Sequence, residues 1–163
     1  MNLCYFAYGS NMLARQMAER CAGARALGRA VLENWRFLIT KRGSASIAPA
    51  PGRRVHGVLW RCSPEHFHTL DQYEGVRFAN YLRRPVTVSD ADGRALRAIT
   101  YVGTRRQAGV ARVDYMVTAV LPGALAFGLP EDYCHELSSW LAERPIGEQR
   151  IRYRGRRRPV RRY

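Results

Sequence analysis

Paired cysteines, long apolar runs and lysine are what this sequence lacks, and each absence removes a class of protein. Among 163 residues there are four cysteines, Cys4, Cys21, Cys62 and Cys134, widely spaced and forming no C-x-x-C pair. Zinc knuckles and thioredoxin-type motifs are thereby excluded, and a disulfide framework is not expected in a chain this long. All four read as buried or incidental thiols. No apolar stretch reaches the roughly 18 residues of a membrane span, and the first residues lack the basic-then-apolar layout of a secretory signal. The cytoplasm is the expected compartment. Repeats and low-complexity blocks are missing before residue 150.

Acids are also scarce, 13 against 27 Lys and Arg, for a formal net charge of +14. Lys41 is the only lysine. The imbalance is uneven: residues 150–163 (RIRYRGRRRPVRRY) hold eight arginines and no acid, leaving 19 basic residues against the 13 acids elsewhere. A basic segment interrupted by Gly and Pro is expected to be a flexible tail, able to make weak, salt-sensitive contact with RNA, lipid or another polyanion. No specific nucleic-acid partner is expected. The apolar fraction of 47% fits one globular domain, expected over 1–149, with the tail at 150–163.

What is present begins at the third residue. Leu3 to Tyr8 (LCYFAY) reads as a buried strand, and Met12 to Cys21 carries helix formers throughout, so Gly9-Ser10-Asn11 falls at a strand-to-helix joint. A helix start offers unpaired N–H donors, and glycine lets a ligand approach the backbone. Taken alone, the turn is also accounted for by Ser10 or Asn11 capping a helix. Further along, Trp35–Thr40 and Val55–Arg61 are expected strands, with Arg42–Gly52 between them an ordered loop. Ser63-Pro64-Glu65 starts a helix that runs to Glu74 and stops at Gly75. Arg84–Ser89 and Leu96–Val102 form a hairpin through Asp90-Ala91-Asp92-Gly93. Two helical segments follow, Asp114 to about Ala126, which Pro122 should kink or interrupt, and Glu131 to Glu143. The expected class is α+β, a mixed, strongly curved sheet closing into a small barrel with peripheral helices.

In the helix opened by Pro64, the residues Phe67, Leu70 and Glu74 stand at i, i+3 and i+7, which turns an acid toward the apolar face. Burial and the negative end of the helix dipole would both raise its pKa toward neutrality, where a carboxylate can take a proton. Periodicity equally allows Glu74 to face solvent or to pair with Arg77. His66 and His68, at i and i+2, point in different directions and are poorly placed to share a metal. They are expected at the surface. Trp35, Trp60 and Trp140 read as core aromatics.

Tyr5-Phe6-Ala7-Tyr8-Gly9-Ser10-Asn11 together with Leu70-Asp71-Gln72-Tyr73-Glu74-Gly75-Val76 resembles the γ-glutamylcyclotransferase (AIG2-like) family. Val55-His56-Gly57-Val58-Leu59-Trp60 and Gly128-Leu129-Pro130-Glu131-Asp132-Tyr133 are similar to two further family segments, in the family's order. The resemblance implies that the turn, with Tyr5, Phe6, Ala7, Tyr8, Gly9, Ser10 and Asn11, holds the substrate and that Glu74 is the catalytic acid/base. Tyr115 matches a substrate-contacting tyrosine of the family, and Tyr81 follows the E-G-V segment at the family's spacing, with substrate contact and core packing equally open for it. The implied reaction converts a γ-glutamyl amino acid, or a related γ-glutamyl amide, to 5-oxoproline and a free amine, without metal or cofactor. A small-molecule γ-glutamyl compound is then the main partner, and both monomer and homodimer are compatible with the sequence. The segment from Tyr115 to Gly128 is slightly longer than in better-known members and carries Pro122-Gly123, so the pocket wall is expected to differ. The competing reading is a non-catalytic scaffold whose arginine tail binds RNA or another polyanion.

Overall fold

The computed structural model describes residues 3–105 and 108–142. Five strands close into a barrel in the order β1-β3-β2-β4-β5. β1 (Leu3–Ala7) lies antiparallel to β3 (Ala45–Cys62) and meets β5 (Ala95–Gly103) in parallel, with Tyr5 opposite Ile99. β2 (Arg25–Ile39) pairs with β3 along nearly its whole length, and β4 (Tyr81–Asp90) joins β5 by the expected hairpin. Asp90 builds that turn: its carbonyl accepts from the Gly93 N–H and its carboxylate from the Asp92 and Arg94 N–H groups. The predicted α+β class and barrel closure are both found.

Two strands are longer than the sequence suggests. Residues Arg25–Asn34 extend β2 backwards, and Ala45–Gly52, expected in a loop, is the first half of β3. The sequence signal there is weak because small residues and glycine or proline interrupt the apolar pattern: Ala30 stands beside Leu32 on one strand and Ala45 and Ala48 beside Ile47 on the other, all buried. Register shifts at Ala26/Gly28 and Glu33/Trp35 bend the long ribbon, with Asn34 at φ 64°. Pro49 lies opposite Trp35, outside the stretch of β3 that pairs with β1.

Helices cover one end and one side. The expected helix from Met12 to Cys21 is divided into a 3-10 turn, Ser10–Met12, and α1 (Ala14–Arg20). α2 (Pro64–Glu74) has the bounds read from sequence, stopped by Gly75 at φ 63°. His66 is a correction: it is half-buried, taking the place of the acid in a capping box. Its Nδ1 accepts from the Ser63 N–H at 3.2 Å, so the opposite nitrogen, Nε2, carries the proton donated to the Ala22 carbonyl at 3.0 Å. α2 is thus tied at its start to the chain leaving α1. The interrupted helix is also found: α3 (Val113–Tyr115) passes into a π turn, Met116–Val120, then α4 (Leu121–Ala126). Pro122 removes one backbone donor, and the widened turn lies directly before it. α5 (Glu131–Ala142) packs Trp140 edge-on against Phe37. Trp60 is buried; Trp35 and Trp140 are partly buried against the core.

The arginine-rich segment 150–163, and with it the expected tail, lies outside the described residues.

Candidate active site

Burial is what brings the turn and α2 together. Phe67 and Leu70 are fully buried, which fixes the face of α2 that meets the barrel and carries Glu74 with it. On the other side, β1 ends at Ala7 and the chain turns through Gly9 into the 3-10 turn, burying Asn11. Asn11 Nδ2 donates to Glu74 Oε1 at 3.3 Å and to the Tyr5 hydroxyl at 2.9 Å. Its Oδ1 accepts from Gln16 Nε2 at 3.1 Å and Arg20 Nη1 at 2.8 Å. The carboxamide is saturated, and no other side chain of its size offers two donors and an acceptor in one plane.

These groups line a cavity of about 200 Å³. Of the residues expected at the site, Tyr5, Tyr8, Gly9, Ser10, Asn11, Glu74, Tyr81 and Tyr115 all face it. Phe6 and Ala7 do not. Both are buried in the core, the Phe6 ring and the Ala7 carbonyl lying against Gly57 with no room for a β-carbon between them. Their part is to seat β1 on β3.

Among the described residues, Glu74 is the sole carboxyl group in the lining. Burial pushes it up to about 7, against the smaller opposing pulls of the Arg20 cation and the Asn11 hydrogen bond. The alternative partner Arg77 does not contact it; that side chain is exposed. Around the acid stand phenols that burial drives the other way from reactivity, with Tyr5, Tyr8 and Tyr115 raised and Tyr81 pushed up to about 12. All remain protonated at neutral pH and can only donate or accept hydrogen bonds. Within this lining, Glu74 is therefore the group poised to exchange a proton near neutrality.

The turn presents its backbone inward. The Tyr115 hydroxyl oxygen accepts from the Ser10 and Ala45 N–H groups, each at 3.3 Å, leaving its proton available to a bound ligand. The Gly9 N–H has no partner among the described residues. Gly9 is required here, since a β-carbon would come within 2.8 Å of the Tyr115 oxygen. Tyr81 is fixed by donation to the Ala45 carbonyl at 2.7 Å and by Ser44 at 3.0 Å, and Tyr8 donates to the Tyr101 carbonyl. The cavity is thus rigidly walled. Arg20 and Arg112 add positive charge, each guanidinium lying over a tyrosine ring, Tyr73 at 4.4 Å and Tyr115 at 5.2 Å.

A family model described as AIG2-like matches residues 54–137. The chain belongs to this family. The γ-glutamylcyclotransferase of Mus musculus is 30% identical, the match covering 83% of this chain and 77% of that protein, and that of Bos taurus gives the same figures. A solved γ-glutamyl cyclotransferase superposes with a TM-score of 0.80 at 26% identity, over 85% of this chain and 88% of the other. This AIG2-like chain is accordingly an enzyme of the γ-glutamylcyclotransferase type. No helix among its described residues is long and apolar enough to cross a membrane, and no group of His, Cys, Asp and Glu there is arranged to hold a metal ion.

Sequence reading missed Arg20, Ser44, Ala45, Tyr73, Tyr101 and Arg112 in the lining. Ser44 and Ala45 were hidden by the assignment of their segment to a loop. Arg20 falls nine residues after Asn11 on a helix whose apolar pattern gave no reason to single it out.

Proposed function

We propose that the chain closes the γ-glutamyl group of a γ-glutamyl amino acid, or of a related amide, into 5-oxoproline and releases the amine, in the cytoplasm. The single observation that carries this reading is the Glu74 carboxyl hydrogen-bonded to Asn11 of the turn, the two lining one cavity in which burial raises the acid's pKa to about 7. The substrate's α-amine is an ammonium at neutral pH and becomes a nucleophile only after losing a proton. Glu74 takes that proton. The nitrogen then bonds to the γ-carbonyl carbon, and negative charge grows on the carbonyl oxygen. Donors at the turn, the Gly9 N–H and the Tyr115 hydroxyl, suit either that oxygen or the α-carboxylate, and Arg20 and Arg112 favour an anionic substrate. Glu74 passes that proton to the departing nitrogen as its C–N bond breaks, then relays the second proton that the ring nitrogen sheds, so that the amine leaves as an ammonium and the ring nitrogen keeps one hydrogen. One carboxyl group serves both transfers.

Incubation with a panel of γ-glutamyl amino acids, γ-glutamyl-ε-lysine and glutathione, with 5-oxoproline read by mass spectrometry, tests the reaction. Glu74→Gln should fold and lose roughly two or more orders of magnitude in turnover, as expected for a missing general base. Turnover near that of the parent chain would remove Glu74 from the role.

A further inference from the structure

A second cavity of about 210 Å³ adjoins the first, and Ser44 and Tyr81 belong to the linings of both. Among the described residues its lining carries three cations, Lys41, Arg42 and Arg105, and no acid. None of the three forms a salt bridge among the described residues. The placement is built rather than incidental. Lys41 and Arg42 sit on the tight turn between β2 and β3, closed by the Thr40 N–H donating to Ser44 and the Gly43 N–H donating to Thr40. Arg42 Nη1 donates to Asn80 Oδ1 at 3.0 Å, and the Asn80 N–H in turn donates to the Gly75 carbonyl, immediately after Glu74. Arg42 is therefore tied, through Asn80, to the residue that follows the acid of the first cavity, with Lys41 beside it on the same turn.

Resting on the cyclotransferase reading above, we propose that this second cavity receives the leaving amine, and that the preferred leaving amine is an acidic amino acid or acidic peptide bearing at least two negative charges. The γ-glutamyl group occupies the first cavity, where Arg20 and Arg112 outweigh the one carboxyl group. A leaving amine extending past Ser44 and Tyr81 enters a space whose charged groups are all positive. A single carboxylate leaves two of those cations unmatched; a dicarboxylate engages more of them. Nothing in the chemistry changes: the γ-amide C–N bond breaks, the ring C–N bond forms, and two protons pass in turn from the α-ammonium nitrogen through Glu74 to the departing nitrogen, which leaves as an ammonium. The cluster acts on binding and orientation, and because its members are exposed the effect is salt-sensitive.

The test compares γ-glutamyl-glutamate, γ-glutamyl-alanine and γ-glutamyl-alaninamide as substrates of the full chain, alongside the variant Lys41→Gln/Arg42→Gln/Arg105→Gln. At low salt kcat/KM should fall in that order, by about tenfold from first to second, roughly the effect of one well-placed charge pair. In the triple variant, and in the parent chain at about 0.5 M salt, the ratio of the first two should collapse toward one. The single variants Lys41→Gln and Arg105→Gln, both at exposed positions, should each lower the ratio if the triple variant does not fold. Equal kcat/KM for the first two substrates, or a preference unmoved by the substitutions, overturns the acidic-amine subsite while leaving the cyclotransferase reading intact. If none of the compounds is cyclised, that reading falls and the subsite is judged by calorimetric binding of γ-glutamyl-glutamate against γ-glutamyl-alanine. Tighter binding of the first, lost in the variants, supports it, and equal binding overturns it.

Discussion

Asn11 and Glu74, 63 residues apart in the chain, meet at 3.3 Å, and the bond between them joins the substrate-facing turn to the end of α2. The same amide group holds the Tyr5 hydroxyl, while its oxygen takes Gln16 and Arg20. One buried side chain thus fixes the position of the acid, while burial governs its ionisation against the smaller pulls of Arg20 and Asn11.

Activity should rise with pH through about 7, because only the ionised Glu74 accepts a proton. In a profile of kcat/KM against pH, an acid limb close to the ordinary carboxylate range, near 4.5, would contradict the assignment.

Stability should move in the opposite direction. The folded-state pKa of Glu74 lies above the unfolded value, so the favourable contribution is complete below about 4.5 and is lost as pH rises through about 7. The loss is at most about 3 kcal/mol by the pKa difference. Glu74→Gln, which carries no charge to desolvate, should therefore melt above the parent chain at pH 8 and approach it at pH 5. Calorimetry at the two pH values reads this directly.

Asn11→Leu removes the hydrogen bond that favours the ionised acid, so the acid limb of the pH profile should shift upward, with folding retained or weakened. Arg20→Met, which takes away the neighbouring cation, should shift it the same way. A downward shift in either variant would show that burial is not the main cause of the raised value.

Gly9→Ala and Tyr115→Phe should both damage the turn, for different reasons. The first pushes the Tyr115 ring from its seat, and the second leaves the Ser10 and Ala45 N–H groups without their acceptor, at a cost of about 1–3 kcal/mol. Lower kcat/KM accompanied by a modest fall in melting temperature is the expected result. Unchanged activity in both would place the substrate elsewhere in the cavity.

Gly57→Ala tests the core role given to Phe6 and Ala7. A β-carbon at Gly57 would run into the Ala7 carbonyl and the Phe6 ring, so β1 must shift on β3, destabilising the chain by about 1–3 kcal/mol or more. Denaturant unfolding followed by circular dichroism measures it.

The sequence by itself determined the elements that carry strong local chemistry. Ser63-Pro64 and Gly75 bound α2 because a hydroxyl cap, a fixed proline φ and a left-handed glycine act within a few residues of themselves, and Asp90 to Gly93 made its turn for the same kind of reason. The spacing of Phe67 and Leu70 made Glu74 a candidate inward acid, with solvent or Arg77 equally open, and the fold decided between them. The added lengths of β2 and β3, residues 25–34 and 45–52, were not legible, because alanine, glycine and proline break up their apolar pattern and such stretches acquire strand identity only from the partner they pair with. Nor could local pattern separate Tyr5 and Tyr8, which face the cavity, from Phe6 and Ala7, which face the core. Only barrel closure decided that, and with it the desolvation of Glu74, the company of Arg20 and Arg112, and the adjoining cationic cavity, since burial and charge proximity depend on which distant segments fold against one another.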